Sequence, residues 1–240
     1  MTRRENIAGN LSRVRGNIEA ACARARRDPR DVTVVAVTKT ASLDAIRTLV
    51  ELGVDDLGES RVQQLQERAA ALAPDLAALP PGRAVRWHMI GHLQRNKIRA
   101  VLDAGVEVVH SVDSLRLAED LNARAEKIGR RLSVMIQVNC SREEQKFGVA
   151  VGAAACLAEM LASLRHVRLI GLMTMGPLAD NPEAARPAFA RLRELLDDMR
   201  RDKIGGPDLR HLSMGMSHDY PVAVEEGATI LRIGSALFEK

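Results

Sequence analysis

Hydrophobic positions follow two spacings along the chain, and the change from one to the other recurs at regular intervals. From Thr2 to about Arg27, apolar residues recur every three or four positions, which predicts an opening amphipathic helix. The pair Asp28-Pro29 ends it. Beyond this point, short runs of Val, Ile and Leu alternate with longer stretches of helical spacing. Strands that alternate with helices indicate parallel βα units.

Eight strands are predicted after the opening helix, and a helical stretch separates each from the next. The predicted strands are 32–38, 54–57, 85–90, 106–110, 132–138, 167–172, 209–212 and 229–233. The predicted helices are 42–52, 60–72, 94–103, 114–128, 150–164, 182–202 and 218–226. Ser42 and Ser114 are suited to begin two of these helices, because a serine hydroxyl accepts a hydrogen bond from the first helical turn.

Two architectures accommodate this alternation: an open doubly wound sheet and a closed (β/α)8 barrel. Eight units in 240 residues match the usual size of the barrel. An open sheet that binds a dinucleotide would show G-x-G-x-x-G after an early strand, and the sequence contains no such motif. The sequence therefore predicts one domain over residues 1–240, an α/β chain folded as a (β/α)8 TIM barrel with an extra N-terminal helix.

Composition and charge remove several classes of function. The chain is 46% hydrophobic and 28% charged, which is typical of a folded globular protein. Its net charge of +4 arises from interspersed acidic and basic residues, and the densest basic run, 24–30, lacks the interleaved aromatics of a nucleic-acid surface. No stretch has 18 uninterrupted apolar residues, so no membrane association is predicted.

The cysteines and the N-terminal segment indicate the cellular compartment in which the protein is expected. The three cysteines are widely spaced and form no C-x-x-C pair, so neither a disulfide framework nor a metal site is predicted. The N-terminal segment has no apolar leader core. Both features predict a cytoplasmic protein.

Lys39 stands directly after the first predicted strand, VTVVAVT. Alternate residues of a barrel strand face the interior, and Lys39 shares its parity with Val35 and Val37. If that set points inward, the amine lies at the C-terminal mouth, where such barrels carry their active sites. Apolar walls would desolvate the amine and favour the neutral form, which attacks an aldehyde to give a Schiff base. On this stretch alone, a solvated lysine at a strand end remains the alternative.

Two segments near the end of the chain combine small residues with hydroxyls: HLSMGMSHDYP at 211–221 and LRIGSALF at 231–238. They follow the last two predicted strands, where barrels often bind phosphate through loop amides and a helix N-terminus. The residues concerned are Ser213, Gly215, Ser217, Gly234 and Ser235. Each serine by itself is more often a helix cap. Together with an amine suited to an aldehyde, a phosphate-binding loop describes a site for pyridoxal 5′-phosphate (PLP).

These segments and others resemble the PLP homeostasis proteins, which are single-domain relatives of the alanine racemase barrel. The matching segments are VAVTKT (35–40), LGESRVQQL (57–65), WHMIGHLQRNK (87–97), VHSVDS (109–114), QVNCSREEQKFG (137–148), GLMTMGP (171–177), LSMGMSHDY (212–220) and LRIGSALF (231–238). They cover nearly the whole chain in order, and WHMIGHLQRNK and LSMGMS are the most specific.

The resemblance implies a role for each residue of the site. Lys39 would form a covalent aldimine with PLP, and Arg232 would lie near the pyridine nitrogen. An arginine does not give up a proton, so the ring nitrogen would stay unprotonated and the ring would be a weak electron sink. The residues implied to surround the phosphate are Ser213, Ser217, Gly234 and Ser235.

Four positions depart from the family pattern, and one of them is Arg95, which stands where a small residue usually follows the glutamine. Ser60 replaces the asparagine that usually follows Gly58-Glu59, which puts an amide contact to the cofactor in doubt. His92 stands in place of the usual proline. Ser235 replaces the commoner threonine and keeps the hydroxyl.

Four other side chains near predicted strand ends are open to more than one interpretation. His88 is expected to be a buried histidine with its hydrogen bonds satisfied, and Glu59 is expected to hydrogen-bond a neighbouring loop. Lys146 is interpreted first as a solvated lysine and second as an alternative amine for the aldehyde. Tyr220 is the only tyrosine of the sequence, and the chain is expected to lack the separate domain that supplies the second base of the related two-domain racemases.

The resemblance implies a carrier without a defined turnover, so no catalytic residue is assigned. The hypothesis is a PLP-binding protein of vitamin B6 homeostasis that holds PLP as an aldimine on Lys39 and delivers it to PLP-dependent apo-enzymes. The alternatives are a weak PLP-dependent racemase or lyase acting on a small amino acid, and an aldolase that uses Lys39 without PLP. The chain is expected to be a monomer.

Overall fold

The computed structural model describes residues 2–141, 143, 146–177 and 179–239. Met1 and Lys240, the two ends of the predicted domain, lie outside the described residues, as does part of the motif segment 137–148.

Eight parallel strands close into a barrel, as the sequence predicts. They are β1 (Thr33–Val37), β2 (Asp56–Glu59), β3 (Arg86–Met89), β4 (Val106–Val112), β5 (Leu132–Asn139), β7 (Val167–Met173), β8 (His211–Ser213) and β9 (Ile230–Ile233), and a short β6 (Val149–Ala150) lies beside β5. The order around the barrel is β4-β3-β2-β1-β9-β8-β7-β5, and pairing of β4 with β5 completes the ring. The sequence did not predict β6.

Helices follow the strands on the outside of the barrel. They are α1 (Arg3–Arg24), α2 (Leu43–Glu51), α3 (Val62–Ala77), α4 (Ile98–Asp103), α5 (Leu115–Lys127), α6 (Ala154–Ala162), α7 (Arg186–Arg201), α8 (Tyr220–Glu225) and α9 (Ser235–Phe238). Short 3₁₀ turns at Arg95–Lys97, Val151–Ala153 and Pro182–Ala185 begin three of the predicted helical stretches, and a fourth lies at Pro29–Asp31. Of the helices formed by the described residues, none combines the length and the apolar character needed to span a membrane.

The two serine caps are confirmed. Ser42 Oγ accepts a hydrogen bond from the backbone N of Ala45 at 3.3 Å. Ser114 Oγ accepts one from the backbone N of Leu117 at 3.4 Å. These bonds fix where α2 and α5 begin, and so where the preceding loops at the mouth end.

The extra N-terminal helix covers the seam where the last strand meets the first. It packs against α2, α8 and α9. Asn10 Nδ2 donates to the carbonyl oxygens of Leu237 and Glu239, at 3.2 and 2.7 Å. Asn17 Nδ2 donates to the phenol oxygen of Tyr220 at 2.7 Å. The opening helix therefore fastens the segment after β9, which has only the short α9 of its own.

The barrel has an outer and an inner apolar core, and the parity of β1 divides them as predicted. Ala36 packs in the large cluster between the strands and the helices. Val35 packs inside the barrel in a small cluster with Met135, Met173 and Ile230. Residues with the parity of Val35 therefore face the interior.

A glycine in β7 permits close approach of β8. A Cβ at Gly171 would lie 2.1 Å from the backbone oxygen of His211 and 2.7 Å from the Met135 methyl carbon. Neither the strand nor the methionine packed inside the barrel has room for a methyl group at this position. The absence of a side chain at Gly171 therefore allows β7 to approach β8 closely as the barrel closes.

We predict that Gly171→Ala lowers the free energy of unfolding by about 2 to 4 kcal/mol, because the barrel backbone must shift to admit the methyl group. Gly9→Ala is the matched control. It lies on the exposed face of α1 with nothing within 4 Å of the added Cβ, and there alanine should raise the free energy of unfolding by up to about 1 kcal/mol. Urea unfolding measures both changes. Equal effects of the two substitutions would contradict the close approach at β7.

Candidate functional site

Lys39 lies in the turn that follows β1, at the C-terminal mouth of the barrel. Its parity is that of Val35, whose side chain is inside the barrel. The side chain is exposed, however, so the prediction that apolar walls enclose the amine is wrong. The reason is that β1 ends at Val37, two residues earlier, so Lys39 lies in an exposed turn beyond the packed interior of the barrel.

A buried carboxylate holds the turn that carries Lys39. Glu59, at the end of β2, is fully buried and accepts hydrogen bonds from Thr38 Oγ1 and Arg68 Nη1. Arg68 Nη2 also donates to the carbonyl oxygen of Ala41 at 3.1 Å, and the Ala41 N–H donates to Thr38 O at 2.8 Å. The expectation that Glu59 bonds a neighbouring loop is confirmed. Thr38 and Ala41, which flank Lys39-Thr40, are thus hydrogen-bonded to Glu59 of β2 and to Arg68 of α3, respectively.

Ser217 joins the loops that follow the last two strands. Its Oγ accepts hydrogen bonds from the backbone N–H groups of Gly234 and Ala236, at 3.1 and 3.2 Å. A serine oxygen has two acceptor positions and one proton. Because two amides fill the acceptor positions, the Ser217 hydroxyl proton is left to donate. Ser217, Gly234 and Ser235 are half-buried at the mouth.

Arg232 points from β9 into the barrel. It shares the parity of the interior residue Ile230 and is only 4% exposed. Its Nη1 donates to Ser213 Oγ at 2.6 Å and its Nη2 donates to the backbone oxygen of Thr174 at 2.9 Å. Burial lowers the pKa of Arg232 to about 10, against the opposing effect of Asp219. The guanidinium is therefore still charged at neutral pH, and it is held in the plane set by its two acceptors.

Ser213 lies beside Arg232 and apart from the loops that carry Ser217 and Gly234. Its side chain is completely buried and bonded to Arg232 and to His110 Nδ1, the latter at 2.8 Å. β8 ends at Ser213, whose side chain lies in the barrel interior, whereas Ser217 lies in the loop that follows. Of the residues predicted to surround a phosphate, the structure groups Ser217, Gly234 and Ser235, and it places Ser213 on the arginine side.

A row of polar side chains continues from Ser213 across the barrel interior. His110 Nε2 lies 2.8 Å from His88 Nδ1, and His88 Nε2 lies 2.9 Å from Asp56 Oδ1. Arg86 Nη2 donates to Asp56 Oδ2 at 2.9 Å. His88 is thus a buried histidine with both ring nitrogens bonded, as expected. We call Asp56, His88, His110, Ser213 and Arg232 the interior chain.

The charge states along the interior chain follow from burial and pairing. Burial, reinforced by the charge of the neighbouring Arg232, holds the pKa of His110 well below its ordinary value of 6.5. Burial opposes ionisation of Asp56, but its hydrogen bonds from His88 and Arg86 outweigh this and lower its pKa. At neutral pH, His110 is uncharged and Asp56 is a carboxylate.

Two loops at the rim of the mouth are joined by a stacked pair. The His92 ring lies on the exposed Phe147 ring with centroids 4.1 Å apart and planes 14° from parallel. His92 Nδ1 is also 3.4 Å from Asp113 Oδ2. The histidine that departs from the family pattern therefore ties the loop after β3 to the loop after β5. Lys146 is not freely solvated, since its Nζ donates to Glu143 Oε1 at 2.5 Å and to Gly176 O at 2.9 Å.

Sequence reasoning did not identify His110, Asp56, Thr174 or Arg68 as parts of the site. A signal was available for the first two, because Asp56, His88 and His110 fall in three consecutive predicted strands that otherwise favour apolar residues. Which of their neighbours they contact depends on the register between strands. Arg68 lies in a helix, and Thr174 contributes only its backbone oxygen.

The sequence and the fold of this chain are similar to those of known proteins. The family model of the alanine racemase N-terminal domain matches residues 9–239. The pyridoxal phosphate homeostasis protein of Aquifex aeolicus is 41% identical over 97% of both chains, and that of Pseudomonas aeruginosa is 40% identical over 97% of this chain and 94% of its own. The structure of Synechococcus elongatus PipY with PLP bound superimposes with a TM-score of 0.81 at 32% identity, over 97% of this chain and 99% of that one.

The fold and the site therefore define a barrel of the alanine racemase N-terminal type. Within that class, the chain belongs to the pyridoxal phosphate homeostasis protein family.

We predict that His110 makes the protein less stable in mild acid. The unfolded chain takes up a proton on this histidine below about pH 6.5, whereas the folded chain, with its lowered pKa, does not. The free energy of unfolding should therefore fall as the pH falls, by up to about 1.4 kcal/mol per pH unit from this site. His110→Gln should have a shallower fall between about pH 6.5 and pH 5.

Urea unfolding at several pH values measures the two slopes, and His218→Gln, at an exposed histidine, serves as the control. The control should keep the slope of the wild type. Identical slopes for the wild type and His110→Gln would show that His110 is not held neutral.

Proposed function

We propose that this chain is a PLP-binding protein of PLP homeostasis, which holds the cofactor reversibly as a Schiff base (aldimine) on Lys39 and passes it to apo-enzymes. The observation that carries the proposal is the convergence at one barrel mouth of an amine, a hydroxyl-and-amide loop and a buried guanidinium. PLP presents an aldehyde, a phosphate and a pyridine nitrogen, one for each of these groups. The PLP bound in PipY, a relative of this chain, supports the assignment.

Lys39 is suited to a reversible bond. Its side chain is exposed, so both the cofactor and a competing amine can reach it, while Glu59 and Arg68 fix the turn beneath it. A second amine that attacks the aldimine carbon would take the place of Lys39 on the cofactor and release the lysine as a free amine. A binding protein that must give up its cargo benefits from this accessibility.

Ser217 is suited to hold the phosphate. Both of its acceptor positions are filled by backbone amides, so its hydroxyl proton is available to a phosphate oxygen. The adjacent hydroxyl of Ser235 and the backbone at Gly234 complete this side of the site. Hydrogen bonds to a charged acceptor are about twice as strong as neutral ones, so this loop would supply much of the affinity.

Arg232 is suited to face the pyridine nitrogen. Its two Nη groups are engaged by Ser213 and Thr174, and it retains its charge at neutral pH. A guanidinium donates a hydrogen bond without transferring its proton. The ring nitrogen would then remain unprotonated, which disfavours carbanion chemistry and supports a carrier over an enzyme.

The only tyrosine of the sequence also fits a carrier better than a two-base racemase. Tyr220 is 5% exposed, and its phenol oxygen accepts a hydrogen bond from Asn17 on α1. It is therefore engaged at the helix layer and does not stand opposite Lys39 as a second base.

We predict that Lys39→Ala abolishes most of the visible absorbance that the purified protein acquires with PLP, because no Schiff base forms. Borohydride treatment of the wild type, followed by mass mapping, should find the cofactor on Lys39. Lys146→Ala is the matched control, since it removes the other amine near the mouth and should keep the absorbance.

Three results would contradict parts of the proposal. A wild-type protein that takes up no PLP would overturn the cofactor and leave the aldolase alternative. Trapping on Lys146 would reassign the amine. Racemised or cleaved product from single amino acids at ordinary enzyme rates would replace the carrier with an enzyme.

We predict that Ser217→Ala weakens PLP binding about tenfold, because it removes a hydrogen bond to a charged phosphate and the bridge between two loops. Ser163→Ala, on the exposed end of α6, should leave the affinity unchanged. Titration followed by absorbance measures both dissociation constants. If binding of pyridoxal, which lacks the phosphate, weakened as much as binding of PLP, Ser217 would not be a phosphate contact.

We further expect the protein to be a cytoplasmic monomer. Light scattering on the purified protein and fractionation of cells test these two expectations separately.

A further inference from the structure

The interior chain is unusual for the inside of a barrel. Such interiors are ordinarily filled by layers of branched apolar residues, and Val35, Met135, Met173 and Ile230 fill part of this one in that way. Beside them lie five polar or charged residues, each at most 6% exposed: Asp56, His88, His110, Ser213 and Arg232. Buried polar groups are costly unless all are bonded, and an apolar replacement is often as stable. Stability alone therefore does not explain this row.

The two ends of the interior chain determine the hydrogen bonds that they make. Arg232 can only donate, so Ser213 Oγ accepts from it. At the far end, the Asp56 carboxylate can only accept, so His88 carries a proton on Nε2. With no second proton on His88, its Nδ1 accepts from His110 Nε2–H, and His110, neutral through its burial, accepts at Nδ1 from the Ser213 hydroxyl.

In this arrangement, all four bonds point the same way, from the guanidinium to the carboxylate. Hydrogen bonds arranged head to tail polarise one another and strengthen each other. The Ser213 oxygen, which gives its proton to His110, becomes a better acceptor for Arg232. The carboxylate of Asp56 stabilises the buried guanidinium in this way without touching it.

We propose that Asp56, His88 and His110 are positioning residues that act through Ser213 on Arg232 and so set how its guanidinium meets the pyridine nitrogen of PLP. This inference rests on the proposed function for its last step only. Through the hydrogen bonds of the interior chain, Arg232, which would contact the ring nitrogen, is connected to Asp56. Asp56 and its partner Arg86 line a cavity at the N-terminal end of the barrel, opposite the mouth.

The tautomers are tested on the protein without cofactor. Nitrogen-15 NMR of the six histidine rings, assigned through the backbone, should find His88 and His110 both neutral with the proton on Nε2 at neutral pH. A proton on Nδ1 of either ring, or a charged His110, would overturn the proposed direction of the chain. This measurement does not depend on whether the protein binds PLP.

The coupling to the cofactor site is tested with two neighbouring carboxylates. Asp56→Asn replaces the acceptor-only end of the chain with an amide that can also donate, so both histidines can reverse. Asp55→Asn makes the same change one residue earlier, where Asp55 accepts from Arg83 at 2.7 Å and lies outside the chain. We expect Asp56→Asn to shift the visible absorption band of bound PLP and to raise its dissociation constant about threefold to tenfold. Asp55→Asn should change neither.

Equal effects of the two substitutions, or no effect of either, would overturn the positioning role. If Asp56→Asn does not fold, as judged by circular dichroism, Ser213→Thr and Ser213→Ala decide instead. Threonine keeps the hydroxyl that links His110 to Arg232 and should restore the wild-type band, whereas alanine should not. An identical band in the two Ser213 variants would overturn the proposal. A wild type that takes up no PLP would refute the proposed function, and the NMR result would still decide the direction of the chain.

Discussion

The parallel pairing of the first strand with the last is the constraint on which the site depends. Val35 pairs with Arg232 and Ala36 with Ile233, so the ends of β1 and β9 lie side by side at the mouth. This register brings the turn of Lys39 next to the loop of Gly234, although the two come from opposite ends of the sequence. It also places Arg232 inside the barrel at the level of Val35. A shift of one residue would turn the arginine out into the helix layer.

The opening helix covers the seam between β9 and β1. Among the described residues, the short α9 is the helix that follows β9, and without another element the outer face of β9 and β1 would be open. The helix α1 fills this place and is bonded through Asn10 and Asn17 to α9 and α8. The same contact holds the phenol oxygen of Tyr220 against α1. One packing interaction therefore covers the seam of the barrel and engages the hydroxyl of Tyr220.

The interior of the barrel serves two purposes that conflict energetically. Apolar residues on β1, β5, β7 and β9 give it a packed core, while the interior chain across β2, β3, β4, β8 and β9 carries polar groups through it. The polar row is tolerated because each member has partners of the right kind, with a guanidinium at one end and a carboxylate at the other. Fully bonded polar networks of this kind also restrict the number of arrangements that a core can adopt.

The sequence by itself determined the barrel, its extra helix, the capping serines and the position of Lys39 after the first strand. These follow from hydrophobic spacing, parity and turn residues, which are local properties. The same reasoning placed Ser217, Gly234 and Ser235 in loops that the structure groups at the mouth. It identified His88 as a buried, bonded histidine, because a polar residue in an apolar strand must find partners.

Only the tertiary structure decided which polar residues meet. It separated Ser213 from Ser217, exposed Lys39 where enclosure was expected, and brought His110, His88 and Asp56 into line with Arg232. These outcomes depend on the register between strands and on where β1 and β8 end, each one residue from its predicted limit. A displacement of that size leaves the pattern of the sequence unchanged, but a residue beyond the end of a strand no longer follows the alternation of its two faces, so parity does not fix where its side chain lies.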